Sequence, residues 1–230
     1  MTPARRQRTA GVVLLFGLVY LVFEFVSAAA WVDPPYDWAR NYISDLGFAD
    51  CATVDGDRLC SPLHPLMNAG FMVQGTVFTI GGVLVTRILF AEAAQRVLVA
   101  SLLVVSGVGT FFVGVFHQSL ALYDAGLNGL HVLAATLAIG PGNVGILLLG
   151  IFALALPAWR GYALGVIVIA VIGIVAAVAL ALGDPLGIGI GLVERVAVYP
   201  LNTFTIGTGV GLLVRGSLER RARARIAAES

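Results

Sequence analysis

Residues 162–182 read YALGVIVIAVIGIVAAVALAL, a run with no charged side chain from end to end. At about 1.5 Å of helical rise per residue such a run crosses a hydrocarbon core of about 30 Å, and the rest of the chain is parsed accordingly. Five further apolar runs lie at about 11–31, 66–86, 97–116, 128–156 and 191–214. Composition agrees: 59% of side chains are hydrophobic and 12% charged, where soluble domains carry roughly a quarter charged. The expected fold is all-α, a polytopic membrane bundle of six transmembrane helices forming one domain over residues 1–230.

Orientation follows arginine, because the chain contains no lysine. With the N-terminus inside, the inner segments hold Arg5, Arg6, Arg8, Arg87, Arg96, Arg160, Arg215, Arg220, Arg221, Arg223 and Arg225, which leaves three arginines elsewhere. The opposite orientation would place those eleven outside, against the positive-inside rule. Asp33, Asp37, Asp45, Asp50, Asp55, Asp57, Asp124 and Asp184 then fall outside. Both termini are expected in the cytoplasm and the bundle in a plasma membrane, with the basic tail 215–230 as a topology anchor that attracts anionic lipid. Residues 1–30 also imitate an export signal, with "RRQR", an apolar run and "SAAA". Glu24 inside that run and the arginine balance favour a retained first span.

The one long polar segment is the outer loop 32–65 between helices 1 and 2. It carries the only cysteines, Cys51 and Cys60, on the oxidising side of the membrane, so a disulfide closing CATVDGDRLC is expected, with VDGD as its turn. A zinc pair is the alternative, without a second cysteine pair or a His-rich partner to support it. Upstream, DPPYD reads as an extended turn. Asp37 is expected to cap a short helix ending at Gly47, with Trp38, Tyr42, Ile43 and Leu46 lying on the bilayer surface or the helix ends. Within the spans, Gly161-xxx-Gly165, Gly187-xxx-Gly191, Gly207-xxx-Gly211 and Gly107, Gly109 and Gly114 predict close helix packing. Pro141 in GPGN predicts a kink, or a break of the kind that builds a site.

Polar groups inside a membrane are costly and point to function, and one end of the bundle collects nearly all of them. Glu24 lies about 10 Å beneath the outer boundary by helical rise. At the same end come His64 and Asn68, His117 and Gln118, Asn128 and His131, and then Glu194, Arg195, Tyr199 and Asn202. The loop adds RNYISDLG, residues 40–47, as a lid.

Three uses of this cluster follow. In the first, Arg40, Asn41, Ser44, Asp45, Glu24, His131, Glu194 and Arg195 bind a lipid headgroup or small polar ligand, with Arg40 and Arg195 on a phosphate. In the second, His64, His117 and His131 with Asp45 or Glu24 hold Zn²⁺ and activate water for hydrolysis of outer-leaflet lipid, with Ser44 as oxyanion helper. In the third, the cluster is a purely structural cap, in which Glu194 and Arg195 join an ion-pair network with Arg40, Asp45 or Glu24. A protein partner in the envelope or self-association stays open; no nucleic-acid partner is expected.

Certain motifs recur in order along the chain: Asn41, Ser44, Asp45, Leu46 and Gly47 after the first span, Gly114 and Phe116 followed by His131, and the late pair Glu194 and Arg195. In these the sequence resembles the bacterial and archaeal membrane proteins known as domain of unknown function 998. His117 departs from the proline that often follows the Phe in such proteins. A more distant similarity is to the Frag1/DRAM/Sfk1 group of six-span proteins, some linked to lipid remodelling. The resemblance implies a six-helix fold and no activity.

Overall fold

A computed structural model describes residues 3–54 and 56–229, with Pro3 and residues 220–229 as helical backbone only. Asp55 and the side chains of Arg220, Arg221, Arg223 and Arg225 lie outside the described residues. The helices are α1 (Pro3–Leu15), α2 (Leu18–Ala30), α3 (His64–Leu89), α4 (Ala93–Val115), the short α5 (Leu120–Asp124), α6 (Asn128–Ala153), α7 (Arg160–Ala181) and α8 (Ile190–Glu229). Six segments are long and apolar enough to cross a membrane, α1 and α2 sharing one of them. Neighbours in the chain pack as neighbours in space, and α8 returns to α1, so the spans close into a ring.

Two boundaries differ from expectation. The first span starts at Pro3 and is split at Phe16–Gly17, where Gly17 and Val19 donate to carbonyls only three residues back. A Cβ on Gly17 would stand 2.8 Å from Thr205 and 3.1 Å from Gln74, so glycine lets α8 and α3 come close at the break. The last span, expected to end near residue 214, continues as one helix to Glu229.

Small residues set the helix contacts, though not always the expected ones. Gly75 and Gly107 bring α3 and α4 backbone to backbone, and Gly109 does the same for α4 against α6. Gly161, Gly165, Gly207 and Gly211 instead face open space. On α7 the side chains of Val168, Val171, Ile172, Val175 and Val178 are likewise exposed, as a lipid-facing helix requires. Two large clusters fill the interior, beside a smaller one of Ala138, Ile139, Ala176 and Ala197. One holds Phe78, Leu103, Ile146, Leu149 and Phe204, and the other, toward the loop, holds Tyr20, Ile43, Leu46, Phe48 and Met67.

Pro141 does not break α6, which runs through it. The carbonyl of Ala138, three residues earlier, accepts a hydrogen bond from Ser106 Oγ of α4 at 2.5 Å. The same device recurs at Pro200 in α8, where Asn143 Nδ2 donates to the Ala197 carbonyl at 2.9 Å. Polar side chains of a neighbouring helix thus serve carbonyls beside each proline, where a bilayer offers no water. Ser106→Ala is expected to lower stability by about 1 kcal/mol, measured as a fall in unfolding temperature in detergent; no fall would sink this account of Pro141.

The loop forms an antiparallel hairpin, β1 (Cys51–Val54) and β2 (Asp57–Cys60), closed by the Cys51–Cys60 disulfide and turning at Gly56 with φ +89°. The expected helix ending at Gly47 is absent: only a 3-10 turn, Ser44–Gly47, forms. Asp37 still caps locally, its Oδ1 accepting the N–H groups of Ala39 and Arg40. Ile43 and Leu46 are fully buried against the helix ends. The loop is fastened on three sides. Asn68 of α3 donates to the Gly47 carbonyl at 2.9 Å, Ala49 donates to Gln118 beyond α4 at 3.0 Å, and Gly191 of α8 donates to Ala39 at 2.9 Å.

Candidate functional site

Beneath the loop, the first turns of α8 supply two adjacent side chains that turn to different tasks, as neighbours on a helix do. Arg195, 3% exposed, donates to the carbonyls of Trp38 and Asn41, each at 3.0 Å, and of Gly191 at 2.8 Å, and to the Tyr36 hydroxyl. Its Nε lies 3.4 Å from Glu24 Oε1, an ion pair by distance but not an aligned hydrogen bond. Tyr199 donates to the same Glu24 oxygen at 2.9 Å. The guanidinium also stacks over Trp38, 4.7 Å from the ring centroid. Tyr36 completes the set by donating to the Tyr42 carbonyl at 2.8 Å. Burial raises its hydroxyl pKa, a shift that Arg195 opposes.

Glu194 takes the other direction. One of its oxygens accepts the Ile43 N–H, pinning the loop. Asp45, two residues on, is 6% exposed and accepts the Tyr42 N–H at 2.8 Å and, more weakly, the Asn41 amide at 3.5 Å. Burial pushes the Asp45 carboxyl up from 3.8 to about 6, against the lowering effect of those two hydrogen bonds. Arg40 stands apart at the rim, 69% exposed and paired with Asp57 at 2.6 Å. Asn41 also accepts from the Asp37 N–H through its side chain.

Two voids meet at this level. A groove of about 890 Å³ runs between α6 and α7. Lower down its walls are mostly apolar, with Ile139, Val144 and Ile174 beside Asn143, and beneath the loop they are polar, with Tyr42, Asp45, Asp57, Gln118, His131 and Glu194. The stretch of α6 from His131 to Val144 makes it about 20 Å long by helical rise. Inside the ring, a cavity of about 50 Å³ is bounded by Tyr20, Gln74 and Asn202. Each of these carries a buried polar atom without a protein partner: the Tyr20 hydroxyl, Gln74 Oε1 and Asn202 Oδ1. A space of that size and polarity suits a few ordered waters. Ser44, His131, Ala135, Ile139 and Glu194 line both voids and form the wall between them.

Two of the three histidines of the zinc reading face backbone carbonyls. His131 Nδ1 lies 2.9 Å from the Phe116 carbonyl and His117 Nδ1 lies 3.3 Å from that of Gly114. Each ring therefore carries its proton on Nδ1 when neutral. His64 sits half-buried in the first turn of α3. Among the described residues no group of three or more His, Cys, Asp or Glu side chains is placed to hold a metal ion.

Several contributors escaped the sequence reading. Tyr36 and Trp38 hold Arg195 from an irregular loop, where no periodicity signals a partner. Gln74 sits in the middle of an apolar helix and Tyr20 one turn before Glu24; the rule that intramembrane polar groups need a reason marks both.

A family model described as "Protein of unknown function (DUF998)" matches residues 13–211. No curated protein and no solved structure matches the chain.

Proposed function

The chain belongs to the DUF998 family of unknown function, and from that premise we propose that this integral membrane protein binds a membrane amphiphile in the groove between α6 and α7. The observation that carries the reading is the change in the groove's lining along its length. Apolar side chains of two lipid-facing helices give way to Ser44, Asp45, His131 and Glu194 under a fixed polar lid. An acyl chain suits the first part and a headgroup the second. Arg195 and Glu24 serve this site indirectly, by holding the loop that roofs it. In the same reading the hairpin end faces outward from a plasma membrane and both termini lie in the cytoplasm. The arginine distribution and the disulfide support that orientation.

Gly140→Trp tests the groove. Gly140 lines it, and a Cβ there would meet nothing within 4 Å, so the indole has room to enter. Lipid retained by the purified protein, counted by native mass spectrometry, is expected to fall at least threefold, with little change in unfolding temperature. Unchanged retention would remove the groove from consideration.

A further inference from the structure

Resting on that reading, we infer that the groove's head region recognises a protonated amine: its ligand is an amphiphile with an ammonium head, and the site discriminates against a bare phosphate.

The case begins with donors. A phosphate needs several N–H or O–H groups pointed at it, arginine first of all. The two arginines near the lid do not offer them. Arg195 is buried and directs its N–H groups to three carbonyls and Tyr36, with Nε 3.4 Å from Glu24 as an ion pair. Arg40 is bound to Asp57 at the rim. The acceptors, by contrast, are plentiful. Asp45, Asp57 and Glu194 all line the groove, and Arg40 is the one lysine or arginine among the lining residues. Arg195 and Glu24 offset one another beneath the lid, and Arg40 and Asp57 do so at the rim. Asp45 and Glu194 accept backbone N–H groups and, among the described residues, form no salt bridge.

His131 adds to the same account. With its Nδ1 engaged on the Phe116 carbonyl, the neutral ring presents Nε2 as an acceptor. An ammonium brings three donors and one positive charge, which answers two carboxylates and an imidazole nitrogen. Burial also holds the Asp45 pKa above its ordinary value, the condition of an anion short of compensation, which a bound cation relieves. The Tyr42 ring on the same lining is a further surface that attracts an ammonium.

The full-length protein in a neutral maltoside detergent at pH 7.5 is titrated with dodecylamine and with dodecyl phosphate. In parallel it is placed in nanodiscs of phosphatidylethanolamine or of phosphatidylglycerol, which separates a free amine from a lipid headgroup amine. Dodecylamine is expected to raise the unfolding temperature and dodecyl phosphate to leave it unchanged. Bound phosphatidylethanolamine should exceed phosphatidylglycerol in native mass spectra, and D45N should weaken dodecylamine at least tenfold. E194Q should do the same; if it does not fold, because Glu194 pins Ile43, D45N alone decides. Preference for dodecyl phosphate or phosphatidylglycerol, abolished by Gly140→Trp, overturns the amine while the groove stands. Binding of neither class, or binding indifferent to Gly140→Trp, overturns both.

Discussion

Arg195→Met is expected to destabilise the folded protein by about 3–5 kcal/mol, the cost of removing one partner from a buried ion pair. The substitution leaves Glu24, 0% exposed, with only the Tyr199 hydroxyl as partner inside the membrane. It also strips the Trp38 carbonyl of its donor and leaves the Asn41 carbonyl only the Tyr36 hydroxyl at 3.4 Å, and a buried acceptor left unpaired adds about 1–3 kcal/mol. The loop should loosen with it, since these contacts fix RNYISDLG over the helix ends. The measurements are the unfolding temperature in detergent and the protease sensitivity of the loop. Two companions make the result specific. Glu24→Gln combined with Arg195→Met removes the orphaned charge and should recover part of the loss. Arg40→Ala breaks a pair that is half or more exposed at both ends and should change stability by less than about 1 kcal/mol. Equal effects of Arg195→Met and Arg40→Ala would sink the view that the inner arginine is the staple.

The same residues mark what the sequence makes legible. The six spans are readable because long apolar runs, interrupted by charge only at Glu24 and at Glu194 and Arg195, have the length of membrane-crossing helices. The hairpin is readable because two cysteines flank a turn signal. The helix expected to end at Gly47 fails for a tertiary reason: the carbonyls of Trp38 and Asn41, which a helix would use internally, are claimed by Arg195, more than a hundred and fifty positions away. The unbroken first span fails for a similar one, since the split falls where Gly17 packs against Gln74 and Thr205 of other helices. For the site, helical rise places Glu24, His131, Glu194 and Arg195 toward one end of the bundle. Rise says nothing of rotation, and rotation decides that Arg195 turns to Glu24 and the loop while Glu194 turns to Ile43 and the two voids.

Asp45→Asn is expected to make the unliganded protein more stable than its parent at pH 7.5, by about 3 kcal/mol, and to lose that advantage in acid. The sign follows from linkage. Burial raises the Asp45 carboxyl from 3.8 to about 6 in the folded state, so the folded chain holds this proton more tightly than the unfolded one. The stability from that proton is fully present below about pH 4 and is lost as pH rises through about 6. Two pH units correspond to about 3 kcal/mol, and asparagine, which does not titrate, escapes the loss. Unfolding temperatures of both proteins from pH 4 to pH 8 should therefore diverge upward through pH 5–7; a gap constant with pH, or a parent more stable at pH 7.5, would refute this. A buried carboxylate that lowers stability at neutral pH is accounted for if its charge answers a cationic ligand. Dodecylamine should then raise the unfolding temperature of the parent more than that of Asp45→Asn and narrow the gap at pH 7.5. It should do little at pH 4.5, where the carboxyl is already protonated and no longer attracts the ammonium.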